Sequence, residues 1–145
     1  MYVDPRGQRF AAALTSAVLA VTLLLAGSPA GTVLLAAQAV VFAIGAFRGP
    51  QHTPYALAFR RWVRPRLDAP AELEDARPPR FAQSVGLGFA LVGLLGFVSG
   101  LTVLGVLAVA AALAAAFLNA AFGFCLGCEI YLLIRRAAPA RATAS

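Results

Sequence analysis

LTVLGVLAVAAALAAAFLNAAFGFCLGCEIYLLI, residues 101–134, is the stretch whose reading decides the fold. Glu129 is its only charged side chain, and alanine dominates from Ala110 to Ala116. As one helix, at ~1.5 Å per residue, it would be ~50 Å long. The apolar core of a bilayer is ~30 Å thick and takes ~20 residues. The stretch therefore predicts a slim membrane span over 101–121, a bend near Gly123 to Gly127, and a short second helix. The bend holds both cysteines of the chain, Cys125 and Cys128, with Glu129 beside them.

The rest of the chain agrees with a membrane reading. Hydrophobic residues make up 61% of it, charged residues only 12%, and the mean hydropathy is +0.81, far from soluble averages. Apolar runs cover 10–26, 32–47 and 82–98 as well as 101–121, so the expected fold class is all-α. We expect an integral membrane protein in a single membrane domain, 1–145, with four transmembrane helices arranged as two hairpins. The start of the chain mimics a signal peptide. Its apolar run is long for one, however, no clear A-x-A site follows, and the next apolar run begins at once.

The segment 48–80 is the long polar connection, with seven arginines, four acids (Asp68, Glu72, Glu74, Asp75) and six prolines. Thr53-Pro54 is a helix start, and Tyr55, Phe59, Trp62 and Val63 recur at helical spacing. Arg60, Arg61 and Arg64 take the other face. An amphipathic interfacial helix is expected over about 54–63, with Tyr55 and Trp62 at headgroup level. Gly96 and Gly100 form a G-x-x-x-G, a weak signal of close helix approach in so glycine-rich a run.

All twelve basic residues are arginines. They lie in the leader, in the 48–80 segment and in the tail after Arg135, while the turns at 27–31 and 99–102 hold none. The positive-inside rule then places both termini and the long loop in the cytoplasm of a multi-pass protein of a bacterial inner membrane. Nucleic acid is not an expected partner despite the net charge of +6, since no recognition module is present. The bilayer is.

A weak internal repeat runs through the chain. Arg9-Phe10-Ala11 recurs as Arg80-Phe81-Ala82, Thr32-Val33-Leu34 as Thr102-Val103-Leu104, and Tyr55 with Arg60-Arg61 as Tyr131 with Arg135-Arg136. Each half would be two spans plus a short interfacial helix, the second over about 129–136. The halves would be parallel repeats related by an axis along the membrane normal. Apolar sequence of low complexity also aligns with itself by chance.

Two thiols at C-x-x-C, with no other cysteine, form a local pair for redox, sulfur transfer or metal. The expected geometry is a turn over Cys125 to Cys128 followed by a helix from Glu129. A helix N-terminus favours thiolate. Glu129 opposes that by charge, yet would serve as proton acceptor during exchange or simply favour the helix start. Cys125, Cys128 and Glu129 are therefore the candidate catalytic residues. Metal is a poorer fit, because two thiolates are half of a tetrahedral set and only Glu129 and His52 are near in the repeat alignment, unless a homo-oligomer brings four. Packing alone is the bland alternative for the cysteines, a solvated loop position for His52, and interhelical hydrogen bonding for Gln38 and Asn119.

Val3-Asp4-Pro5-Arg6-Gly7 with Arg9-Phe10, Pro54-Tyr55 with Phe59-Arg60, Arg64-Pro65, Pro79-Arg80-Phe81-Ala82-Gln83 and the ending Asn119 to Tyr131 together resemble an uncharacterised family of small bacterial membrane proteins, a domain of unknown function. The resemblance covers nearly the whole chain, and Phe-Cys-Leu-Gly-Cys-Glu is its most specific part. It implies four membrane helices and no established activity. It points toward a thioredoxin-like or sulfurtransferase partner. The expectation is a thiol-disulfide redox or sulfur-relay protein with a cytoplasm-facing pair. The alternative is a non-enzymatic membrane scaffold or metal-binding subunit. A transporter of a small sulfur species would need a polar pathway, for which Gln38 and Asn119 make a thin case.

Overall fold

The computed structural model describes residues 2–69 and 72–137, so Arg141 of the basic tail lies outside the described residues. Six α-helices follow one another: α1 (Pro5–Leu24), α2 (Pro29–Phe47), α3 (Pro54–Ala58), α4 (Arg77–Val98), α5 (Thr102–Phe122) and α6 (Leu126–Ala137). Helices α1, α2, α4 and α5 are each long and apolar enough to cross a membrane.

Helices α1 and α4 begin about five residues before their apolar runs, and the sequence explains why. Asp4, Ser28 and Thr53 each precede a proline at the first helical position, and each accepts a backbone N–H of the first turn, from Arg6 at 2.9 Å, Gly31 at 3.2 Å and Ala56 at 3.2 Å. Proline gives up no N–H that a helix start needs. Asp75 likewise takes the Arg77 N–H at 2.9 Å ahead of α4. Paired with the Arg77 guanidinium, the Asp75 carboxyl is held down to about 2.

The four long helices form a ring. Helix α1 packs on α2 and α5, and α4 packs on the same two, while α3 leans on α1 and α6 on α4. Leu19 of α1, Leu35 and Phe42 of α2, Ala90 of α4, and Val109 and Ala112 of α5 meet in the centre. Outward, Leu24, Val33, Leu95, Val98, Val103 and Leu107 are exposed. Apolar side chains inside and outside are what a lipid-facing bundle requires.

Helices α4 and α5 touch backbone to backbone. A Cβ on Gly96 would lie 2.5 Å from the Gly105 nitrogen, and one on Gly105 would lie 2.6 Å from the Phe97 ring. The expected Gly96/Gly100 pair is thereby corrected. Gly100 sits in the turn with φ of 84° and nothing near it, and the partner of Gly96 is Gly105 across the hairpin.

Several contacts of the bundle occur in pairs. The Arg80 guanidinium donates to the carbonyls of Ala46 (2.7 Å) and Phe47 (2.6 Å) at the end of α2. That of Arg9 donates to those of Ala120 and Ala121 at the end of α5, both at 3.2 Å. Phe10 meets Phe59 and Phe81 meets Tyr131, each with ring centroids 5.7 Å apart. Asp4 pairs with Arg6 and Asp75 with Arg77. Two short strands, β1 (Tyr2–Val3) and β2 (Glu74–Asp75), pair antiparallel where the halves meet.

One register shifts. Phe59, not Tyr55, stands where Tyr131 stands in the second half. Helix α3 passes into a π turn (Phe59–Val63), Phe59 is buried on Gly7 and Phe10, and Trp62 remains exposed. Tyr55 was expected at headgroup level, but its hydroxyl donates to Gln38 Oε1 at 2.6 Å. The buried amide of Gln38 needs a partner, and Tyr55 lies within reach. Burial pushes the Tyr55 pKa up.

Forcing a side chain into the α4/α5 contact should be costly. Gly96→Leu is expected to lower the melting temperature in detergent by roughly 5 °C or more, since overpacking costs about 1–3 kcal/mol. Gly88→Ala, which meets nothing within 4 Å, should leave it unchanged.

Candidate functional site

Helix α5 ends on Gly123, whose φ of 67° is the left-handed conformation that glycine adopts without strain. The chain then turns through Phe124 and Cys125 and re-enters a helix. Here the structure corrects the expected boundary. Helix α6 starts at Leu126, not Glu129, because Cys125 Sγ accepts the Cys128 N–H at 3.2 Å and the Cys125 carbonyl accepts the Glu129 N–H at 3.0 Å. Cys125 does what serine or asparagine does at an N-cap. The C-x-x-C is the first turn of the helix, not a loop before it.

Cys125 and Cys128 lie at disulfide distance, with their Cα atoms 5.2 Å apart, inside the range a disulfide accepts. Both are half-buried, whereas Glu129 is exposed. Two contacts with α4 hold the pair in place. A Cβ on Gly127 would lie 2.6 Å from the Cβ of Ala82, so glycine allows α6 to seat on α4, and Tyr131 stacks by Phe81 one turn on. From the other side Arg9 closes the end of α5, with its guanidinium under the Gly123 turn.

Two cavities flank the cysteines. The larger, about 290 Å3, lies among α1, α4, α5 and α6 with Phe42 of α2; its wall is mainly apolar, with Gln8, Gln83 and Asn119 as its amides, and it carries no charged side chain. The smaller, about 80 Å3, is polar and is lined by Arg9, Glu74, Gly123 and both cysteines among others. Gln8, Pro79, Asn119 and Cys125 belong to both walls, and Cys128 to the polar one alone. The pair thus stands between an apolar chamber and a polar one.

Of the expected site residues, the structure brings Cys125 and Cys128 together. Glu129 sits in the first turn of α6 and lines neither cavity. His52 is exposed in a 3-10 turn (Pro50–His52) and also lines neither. Among the described residues no three His, Cys, Asp or Glu side chains gather as a metal site would require. Gln38 bonds across helices as expected, but Asn119 stands beside the cysteines. The sequence reading gives no site role to Gln8, Arg9, Pro79 or Gln83; the recurrence of Arg9-Phe10 as Arg80-Phe81 is the signal that marks Arg9.

Residues 3–136 match the family described as Domain of unknown function (DUF4395). The chain belongs to this family. No curated protein and no solved structure matches it.

The N-cap contact makes the two sulfurs unequal. The Cys128 N–H and the start of α6 both face the Cys125 sulfur, an arrangement that raises thiol reactivity at helix starts. Iodoacetamide at neutral pH should therefore alkylate Cys125 roughly tenfold faster than Cys128, as read by peptide mass spectrometry after short exposure.

Proposed function

We propose that this chain is a membrane-embedded thiol-disulfide redox or sulfur-relay protein that works through Cys125 and Cys128. The observation that carries this reading is the cysteine pair at disulfide distance in the first helical turn, with a polar pocket on one side. A partner thiol or persulfide approaches through that pocket, past Arg9 and Glu74, and attacks or is attacked at the exchangeable sulfur. Glu129, exposed one residue beyond Cys128, passes the released proton to water.

The four apolar helices cross a bacterial cytoplasmic membrane as two hairpins related in parallel, and the duplicated arginine and aromatic contacts support that relation. The distribution of arginines puts both termini and the cysteine pair on the cytoplasmic side. The chemistry there suits a thioredoxin-like or sulfurtransferase partner and not periplasmic oxidative folding. Helix α6 lies along the interface, with Arg135 and Arg136 toward water.

A maleimide mass-shift titration in vesicles of known sidedness, poised with thiol/disulfide buffers, tests the reading. Two thiols should label from the cytoplasmic face and disappear together at one potential. Thiols that never pair and label only after denaturation would leave a scaffold. Uncovering by a chelator would point to metal.

A further inference from the structure

We propose that the larger cavity binds a quinone ring, which takes two electrons from the Cys125–Cys128 dithiol. The inference rests on the redox reading above and adds the electron acceptor. The cavity of about 290 Å3 has Cys125 in its wall. An apolar cavity of about 150 Å3 already holds benzene, so a substituted six-membered ring and the start of its tail fit. The space exists because Ala111, Ala112, Ala115 and Ala116 are too short to reach across to α1 and α4.

The wall matches a neutral redox couple in particular. It has no charged side chain, which disfavours an ionic ligand such as a free sulfur oxyanion. Its polar members are three amides and one hydroxyl: Gln8, Gln83, Asn119 and Thr15. An amide both donates and accepts, so it pairs with the carbonyls of the oxidised ring and with the hydroxyls of the reduced one. An acyl chain would leave all of these polar groups unused.

The two sulfurs then divide the work. Cys125, shared by both walls, faces the ring, and Cys128 belongs to the polar pocket alone. In the forward step the Cys125 thiolate adds to a ring carbon, forming a C–S bond. The Cys128 sulfur then attacks Cys125 Sγ, the S–S bond forms and the C–S bond breaks. The electron pair stays with the ring, and the protons of the two thiols end on its two oxygens. Dithiol and quinone become disulfide and hydroquinone. A thiol partner on the polar side reduces the disulfide again.

The test uses the full chain in detergent or nanodiscs with decyl-benzoquinone as probe. The reduced protein should yield one hydroquinone per pair of thiols lost. Cys128→Ser should accumulate a one-ring mass adduct on Cys125, which Cys125→Ser lacks. Ala116→Leu, which fills the cavity, should slow quinone reduction at least tenfold relative to exchange with thiol buffers measured on the same variant, and Ala115→Leu should do likewise if that variant fails to fold. A pair that cycles in thiol buffers yet does not reduce the probe would overturn this inference and leave the redox reading standing. So would a rate indifferent to both fillers, or equal protection of Cys125 by decylbenzene, which would mark a lipid site only. A pair that does not cycle at all would remove both.

Discussion

Helix ends govern this structure. A helix leaves its last carbonyls without intrahelical partners, and next to an apolar bundle water does not supply them freely. Arg80 reaches the end of α2 and Arg9 reaches the end of α5. Each guanidinium starts from the first turns of a neighbouring helix, so satisfying the carbonyls also ties one hairpin to the other. These two ties join the hairpins where α2 and α5 end.

At the end of α2 the chain leaves into the proline-rich segment, and the first half closes on itself. Phe59 fills the space over Gly7, and Tyr55 reaches Gln38. At the end of α5 the same architecture has been left open. Alanines line α5 there, and the space that longer side chains would occupy becomes a cavity next to Cys125. The cavity is lined from both hairpins, by α1 and Phe42 of α2 as well as by α4, α5 and α6.

The position of Cys125 at the start of α6 joins packing to chemistry. Seating α6 on α4 through Gly127 and Tyr131 sets where the helix begins, and the helix start sets which sulfur receives an N–H. A change that moved α6 away from α4 would alter the electrostatics of the pair and the shape of both chambers together. The polar pocket and the apolar cavity share Gln8, Pro79, Asn119 and Cys125 in their walls.

The sequence by itself determined the helical class, the four apolar segments, the cysteine pair and the arginine distribution. Each of these is local: hydropathy is read residue by residue, and Asp4-Pro5, Ser28-Pro29 and Thr53-Pro54 announce helix starts within a few positions. The paired contacts were legible too, because Arg9-Phe10 and Arg80-Phe81, alike in sequence, make them. Only the tertiary structure decided what those residues touch. That Gly96 meets Gly105 instead of serving with Gly100, that Tyr55 turns inward, and that Asn119 and Gln8 stand beside the cysteines all depend on distances between segments far apart in the chain. The cavity is the clearest case. An alanine run reads equally well as tight packing or as empty space, and the outcome depends on whether a neighbouring helix supplies atoms to fill it.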